Sequence, residues 1–304
     1  VTSAFGRALL AVTSRGPVRH LLTRVPAGRR VSLRFVAGET LAAAADVTRR
    51  LNGTGMRVSL DHLGEHVTTR REALRARDDY VACLERIRAE RLEANISVKL
   101  TQLGLEVDDR LAVTLLDALA ARAAAVGTTV TVDMEESRHT EATIAVYEEV
   151  QVTRGNLGVA LQAYLHRTRA DLDRLLPLGG HIRLCKGAYA EPPTVAFTNR
   201  DDVNAAFDRL LRVLMADARV VPAVATHDGE RIALAVALAS GRRTPWELQM
   251  LHGVRRDLQR RLVADGHPLR VYVPYGGNWY PYLTRRLAER PANLGLLLRA
   301  LVGG

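Results

Sequence analysis

Lysine is almost missing from this sequence. Only two of its 43 basic residues, Lys99 and Lys186, are lysines; the others are arginines. Cysteine is equally scarce, with Cys83 and Cys185 alone among 304 residues. Two isolated cysteines give neither a disulfide framework nor metal-type spacing, so a reduced, intracellular setting is the default. Aromatic residues make up 5% of the chain. With no recognition-helix, zinc-finger or RNA-binding signature, that scarcity argues against a nucleic-acid partner. No apolar run approaches the ~18 residues of a membrane span. Acidic residues are absent from positions 1–38, which carry seven arginines and short apolar clusters such as Ala8–Val12. That pattern resembles a transit peptide or a membrane-surface helix, although a basic helix packed on the domain accounts for it equally well.

What is present is ordinary globular composition, 47% apolar and 25% charged. The length suits one large α/β domain or two smaller ones, with a core that needs no disulfides. The net charge of +10 points to nucleic acid, an anionic membrane surface or anionic small ligands. Arginines that simply solvate helix faces are an equal contender.

Eight short β-type runs recur along the chain: 57–63, 95–100, 128–133, 157–164, 181–186, 220–226, 247–251 and 270–274. Segments of helical periodicity separate them. Leu111, Leu115 and Leu119 share one face over 108–126, and Gly127 ends the pattern. Comparable patterns cover 202–216 and 229–240. Alternating strand and helix imply a parallel sheet, because parallel pairing needs a helical crossover. Eight units over 57–302 predict an α/β fold, a (β/α)8 TIM-like barrel, whose usual size is about 250 residues. The strands read as apolar on both faces. A doubly wound open sheet is the alternative, but Gly53-Thr54-Gly55 precedes a strand and lacks the third glycine of a dinucleotide fingerprint. Residues 1–56 are expected as a helical extension packed on the barrel, and 57–304 as the catalytic barrel.

Barrel active sites sit at the C-terminal ends of the strands. Here those ends carry Lys99 and Gln102, then Asp133-Met134-Glu135-Glu136, Gln162 and Tyr164. Arg183, Lys186 and Gly187-Ala188-Tyr189 follow, with Thr226-His227-Asp228, Gln249, Tyr272 and Tyr275 beyond. Both lysines fall in this set. Lysine is a compact cation on a flexible stem and arginine a planar fork, so a chain that otherwise writes arginine is expected to need the amine at these positions. In the last helix Arg285 and Arg286 precede Glu289 by four and three residues. They form either a surface ion pair or two guanidiniums converging on one carboxylate. Lys99, Arg183, Lys186, Arg285 and Arg286 outnumber Asp133 and Glu135, so the mouth is expected to attract anions.

Two other chemistries compete. HLGEH (62–66) fits the H-x-x-E-H pattern of inverted zinc proteases. That pattern needs a helix, whereas this stretch follows a strand, contains Gly64 and is expected to be a loop; no metal is expected. A Schiff-base aldolase could use Lys99 or Lys186. Such a lysine would want an apolar pocket, and both lie among charged neighbours.

The segments SVKLTQLG (97–104), VTVDMEES (130–137), LQAYL (161–165), RLCKGAY (183–189), ATHD (225–228), LQMLHG (248–253) and YVPYGGNWYPYLTRRLAER (272–290) resemble, in order, the signatures of the proline dehydrogenase family, in its monofunctional bacterial form. The resemblance covers about 57–302. It implies an FAD-dependent oxidoreductase that converts L-proline to Δ1-pyrroline-5-carboxylate by hydride transfer to flavin N5, the first step of proline catabolism, with electrons passed to a membrane quinone. Carried over to this chain, Lys99, Arg285 and Arg286 would hold the substrate carboxylate. Arg183 would stand beside flavin N5, and Asp133 would be the buried acid supporting the site. Met134, Gln162, Lys186, Gly187, Ala188, Thr226 and His227 match FAD-contacting positions, with Gly187 and Ala188 keeping the backbone bare for close approach. Tyr272, Leu184 and Tyr189 match walls of the proline pocket. Cys185, Asp228 and Ala190 depart from the family's usual residues, and Cys185 is expected to point into packing. Glu65 is expected to pair with Arg285 as a gate, with Glu289 alongside. The implied setting is cytoplasmic, with peripheral association on the inner face of the cell membrane, and a separate pyrroline-5-carboxylate dehydrogenase would take the product.

Overall fold

The computed structural model describes residues 33–289, with side chains as far as Thr284. Its centre is a closed barrel of eight parallel strands in sequence order. They are β1 (Arg57–His62), β2 (Ala94–Val98), β3 (Val130–Val132), β4 (Leu157–Gln162), β5 (Gly180–Cys185), β6 (Val220–Ala225), β7 (Glu247–Leu251) and β8 (Leu269–Tyr275). β8 closes on β1 in continuous register from Arg57↔Arg270 to His62↔Tyr275. The helices are α1 (Leu41–Asn52), α2 (Arg70–Ala89), α3 (Asp109–Ala125), α4 (Thr140–Arg154), α5 (Thr168–Leu175), α6 (Arg200–Ala216), α7 (Gly229–Ala239), α8 (Arg256–Ala264) and α9 (Trp279–Glu289). The open-sheet alternative is thereby set aside.

Local chemistry accounts for the element ends. Thr69 and Glu72 form a reciprocal capping box that starts α2, satisfying two backbone N–H groups that a helix start leaves without partners. Asp108, Asn199 and Asp228 cap α3, α6 and α7 through their side chains. Gly127 follows α3 with φ +76°, as the periodicity predicts, because the left-handed turn there is inexpensive only for glycine.

The helix in the wall between β8 and β1 comes from the N-terminal side. α1 packs on both of these strands, and its Ala44, Ala45 and Val47 join the same apolar cluster as Met56, Val58 and Val271. The Asn52 side chain ties its end to the Met56 carbonyl (2.9 Å) and the Glu93 N–H (2.9 Å). With that slot filled, α9 lies across the barrel mouth instead. Its Trp279, Tyr280, Tyr282 and Leu283 cluster with Leu63, Phe35 and Val36. The remaining expectations for the N-terminal extension, residues 1–32, lie outside the described residues.

The strands differ from the expectation in one respect: their outer faces are apolar, while their inner faces are mostly polar. Val58, Leu60, Ile96, Val98, Ile182 and Leu184 have no exposed surface and pack under the helices. The alternate positions point into the barrel, and most of them are polar. Low in the barrel, Ser59 and Asn95 hydrogen-bond (2.5 Å), Asn95 donates to Thr131 (3.1 Å), and Arg270 donates to Glu247 (2.7 Å), to Asn95 (3.2 Å) and to the Val58 carbonyl (2.9 Å). Buried polar groups are tolerated because they satisfy one another across the lumen.

Candidate active site

Above that floor the same alternation places ionisable groups at the strand ends. Asp133 follows β3 and is the hub. Its Oδ1 accepts from Arg183 Nη1 (2.5 Å) and Ser97 Oγ (2.6 Å); its Oδ2 accepts from Tyr272 Oη (2.6 Å) and Lys99 Nζ (3.4 Å). The Arg183 guanidinium also donates to Ser97 (3.0 Å) and Gln249 (2.6 Å) and stands 5.3 Å from the Tyr272 ring centre. Gln249 in turn donates to Glu247 (2.7 Å), so the mouth and the floor are one network.

Sequence reasoning missed Asp61. It is fully buried on β1 and accepts from Lys99 Nζ at 3.1 and 3.3 Å, the shortest contacts of that ammonium. The signal was available: Arg57, Ser59 and Asp61 are polar at alternate positions of a strand, and a buried carboxylate requires a partner. Asp61 also alters the expected charge. In the interior Lys99, Arg183 and Arg270 now face four buried acids, Asp61, Asp133, Glu135 and Glu247, so the described interior has no surplus of cations. Any cationic surplus depends on Arg285 and Arg286. Their backbone lies on α9, but their side chains and that of Glu289 lie outside the described residues.

These contacts set the protonation states. Burial would lower the Lys99 ammonium pKa, but Asp61 and then Asp133 outweigh it, and the pKa is raised. Paired with Asp61 and Asp133, the ammonium form of Lys99 is favoured, which argues against an aldolase nucleophile, since that role needs the free amine. Burial would raise the Asp133 pKa, but Lys99, Arg183, Ser97 and Tyr272 hold it below the ordinary carboxylate range. Asp61 is pushed the other way by burial and by repulsion from Asp133, with Lys99 opposing. Burial raises Tyr272 well above its usual value, so it remains a hydroxyl donor.

Lys186 stands apart from this network. Its ammonium donates to Asp228 Oδ2 (2.6 Å) and Asn204 Oδ1 (2.6 Å) at the β5–β6 rim. Asp228 also caps α7 through its other oxygen, and that double duty suits a carboxylate at this position. Gln162 bridges two backbones, donating to the Glu135 carbonyl (2.8 Å) and accepting from the Ala188 N–H (3.3 Å). Glu135 itself is buried and accepts from the Thr101 N–H (3.0 Å) and hydroxyl (2.5 Å). Thr226 Oγ1 accepts from the Asp228 N–H (3.1 Å). His227 Nε2 accepts from the Leu251 N–H (3.0 Å), and its carbonyl accepts from Arg255 (2.7 Å). Met134 is buried in the main core cluster. Tyr189 is half-buried and close enough to Lys99 to act on its charge.

Two expectations require correction, and Gly187 has a structural reason for its bare backbone besides the expected one. Leu184 alternates with inward-pointing Arg183 and is fully buried in the layer beneath the helices, so it is not a pocket wall. Cys185 shares the inward parity of Arg183, half-buried with Sγ 3.5 Å from the Leu161 carbonyl. At Gly187 the bare backbone is used by the protein: φ is +124°, and a Cβ there would lie 2.2 Å from the Tyr164 ring.

The zinc-protease pattern dissolves in three dimensions. His62 closes β1 and faces Tyr275 (5.1 Å between rings) and Asp79 (3.6 Å), while His66 lies in the following loop and turns to Glu106 (3.0 Å). Glu65 lines a small cavity over Lys99 together with Leu63, Gly64 and, from the start of α9, Asn278, Pro281 and Tyr282. Among the described residues no helix is long and apolar enough to cross a membrane.

The residues around Arg183 are suited to a flat, electron-poor ring system. The two positions level with it on the neighbouring strands are Ala160 and Ala223, so β4 and β6 present only small side chains beside it. Its Nη2 is buried without a hydrogen-bond partner, a donor of the kind that burial leaves costly unless something accepts from it.

The chain is similar to known proteins. A family model described as proline dehydrogenase matches residues 44–298. Proline dehydrogenase 1 of Bacillus subtilis subsp. natto is 36% identical over 272 residues, covering 88% of this chain and 90% of its own. The proline dehydrogenase of Deinococcus radiodurans is 34% identical over 316 residues, covering all of both. Among solved structures, proline utilization A from Bdellovibrio bacteriovorus, inactivated by N-propargylglycine, superposes with a TM-score of 0.80 at 23% identity. That match covers 86% of this chain but only 32% of the other, so this chain spans about a third of it and the likeness is one of fold. A family model spanning most of the sequence, and relatives this similar over nearly all of it, lead to one conclusion: the chain belongs to the proline dehydrogenase family.

Proposed function

We propose that the protein oxidises L-proline to Δ1-pyrroline-5-carboxylate, with FAD as its cofactor. The observation that carries this reading is the Lys99–Asp133–Arg183–Tyr272 network at the barrel mouth, with the partnerless Nη2 of Arg183 at its edge. When bound, FAD would take two electrons from the substrate as a hydride and pass them to a membrane quinone.

The chain's own residues would do the positioning. Lys99, favoured as the ammonium, would draw the substrate carboxylate, with Arg285 and Arg286 completing the grip. Three cations on one carboxylate orient the ring carbon next to nitrogen, which is worth most when the bound pose is already reactive. The Tyr272 ring would pack on the proline ring, held in place by its hydrogen bond to Asp133. Arg183 would favour negative charge developing beside it, and Asp133 would hold Arg183, Lys99 and Tyr272 at fixed separations. Met134, Gln162, Lys186, Gly187, Ala188, Thr226 and His227 would hold FAD. The substrate's ring nitrogen must be neutral before hydride leaves, so the rate should rise with pH toward that amine's pKa. Glu65 and Arg285 would close the cavity over Lys99, with Glu289 as part of the same gate.

The same reading assigns 1–56 as an extension and 57–304 as the catalytic barrel. It places the protein in the cytoplasm, peripherally on the inner membrane face, with a separate pyrroline-5-carboxylate dehydrogenase consuming the product. The test is direct. Purified protein should be yellow, and L-proline should bleach the flavin without oxygen while yielding a product two hydrogens lighter. A colourless protein that FAD cannot reconstitute, or one bleached only by D-proline, would overturn the reading. Flotation with anionic liposomes at low salt checks the membrane association, and no flotation would remove it.

A further inference from the structure

His66 is left over from the dissolved zinc-protease motif, and it sits in a cluster that the barrel chemistry does not use. The cluster is built from three loops that follow consecutive strands. His66 lies after β1, Glu106 after β2, and His139 in the turn that leads into α4. His66 Nδ1 is 3.0 Å from Glu106 Oε2, and His139 Nε2 is 3.0 Å from Glu106 Oε1. One potential ligand atom from each of the three residues lies within 4.8 Å of the others.

We propose that His66, Glu106 and His139 bind a divalent cation of the zinc class, at a site separate from the barrel interior. Two imidazoles and a carboxylate are a donor set suited to such cations, with a fourth position left to water. A tetrahedron with bonds of about 2.0–2.1 Å has edges of roughly 3.3 Å; each histidine nitrogen is 3.0 Å from a different Glu106 oxygen, and with one ligand atom from each residue the three atoms lie within 4.8 Å of one another, so small side-chain rotations would close the set on an ion. His139 Nε2 is buried yet makes no hydrogen bond of good geometry, so no protein group holds it in place of an ion.

The surroundings support the assignment. His66 Nε2 lies 3.6 Å from Glu136 Oε1, and a carboxylate on the far nitrogen of a ligating imidazole fixes its tautomer and strengthens it as a donor. Glu136 Oε2 is itself buried and unpartnered. The loop is already in place, because the His66 N–H donates to Thr101 Oγ1 (3.1 Å) and the Val67 N–H to the Thr101 carbonyl (3.2 Å). His66, Glu65 and Glu135 form an overlapping group, but both oxygens of Glu135 are committed to Thr101. One group competes: Arg138 Nη2 reaches Glu106 Oε1 at 3.1 Å, from a side chain that is 63% exposed. An exposed pair of that kind is weak, and the guanidinium can swing away. A bound cation would clip three loops together beside Gly64 and Glu65.

The test uses the full-length protein, stripped with a chelator and dialysed. Zn2+ alone is titrated by calorimetry, and Co2+ is followed by its visible absorption. One equivalent should bind in the micromolar range or tighter. His139→Ala and Glu106→Gln should each weaken uptake by about tenfold or more, and Arg138→Ala should tighten it. His166→Ala, a histidine outside the cluster, should change nothing. Uptake only in the millimolar range, or uptake unchanged in His139→Ala and Glu106→Gln, would overturn the proposal.

Discussion

The two faces of each barrel strand obey different physics. On the outside, Val58, Leu60, Ile96 and Val98 are buried among the side chains of the surrounding helices, and their contribution scales with the apolar area removed from water. On the inside, Asp61, Lys99, Asp133, Arg183, Glu247 and Arg270 are nearly as buried, but what counts there is whether each group has its partner. A position on the outer face tolerates apolar residues of about the right volume. A position on the inner face tolerates one hydrogen-bonding pattern. Stability and chemistry are thus carried by alternate residues of the same eight segments.

The largest expected break in this division is at the hub. Asp133→Asn removes the charge that Lys99 and Arg183 share, and truncating one partner of a buried ion network costs roughly 3–5 kcal/mol. Denaturant unfolding should show that loss, and turnover per folded molecule should fall by about 100-fold or more. Leu60→Ala tests the other face. It should cost about 2–5 kcal/mol, yet leave turnover per folded molecule within about twofold. Equal catalytic damage from both variants would erase the distinction between the faces.

Smaller effects sharpen it. His252 is pushed down to about 4, by burial first and then by Arg256 and Arg50. Its folded-state pKa lies below its unfolded one. The stabilisation is therefore present above about pH 6.5 and is lost as pH falls through 4, by on the order of 3 kcal/mol. Unfolding followed against pH should show that slope, and His252→Gln should flatten it. Glu65→Ala should raise the KM for proline several-fold and leave kcat largely intact; unchanged kinetics would remove the gate. Smallest of all, Asp108→Ala deletes the side-chain cap of α3 and should cost about 1 kcal/mol, with turnover per folded molecule within about twofold.

The outer face was the more legible one. Hydrophobic runs bounded by Gly, Pro and polar residues mark all eight strands, and each begins within about two residues of its expected start. The inner face was harder, because a strand of three to seven residues offers only one to three inward positions. Asp61 escaped notice between Leu60 and His62, although Ser59 and Arg57 share its parity. Leu184 was misplaced by the reverse error: a residue next to Arg183 in sequence is on the opposite face in space. Nor does sequence say which helix fills a given slot in the wall. That α1 stands between β8 and β1 while α9 crosses the mouth depends on packing that no local pattern encodes.

The central claim is that the inner-face network is where proline is oxidised, with Asp133 as its hub. Anaerobic mixing of L-proline with flavin-loaded protein, followed by the loss of flavin absorbance in a single turnover, tests it most directly. The account predicts rapid bleaching of the native protein, and bleaching slowed by about 100-fold or more in Asp133→Asn with its flavin still bound. Bleaching of the variant at the native rate would contradict it.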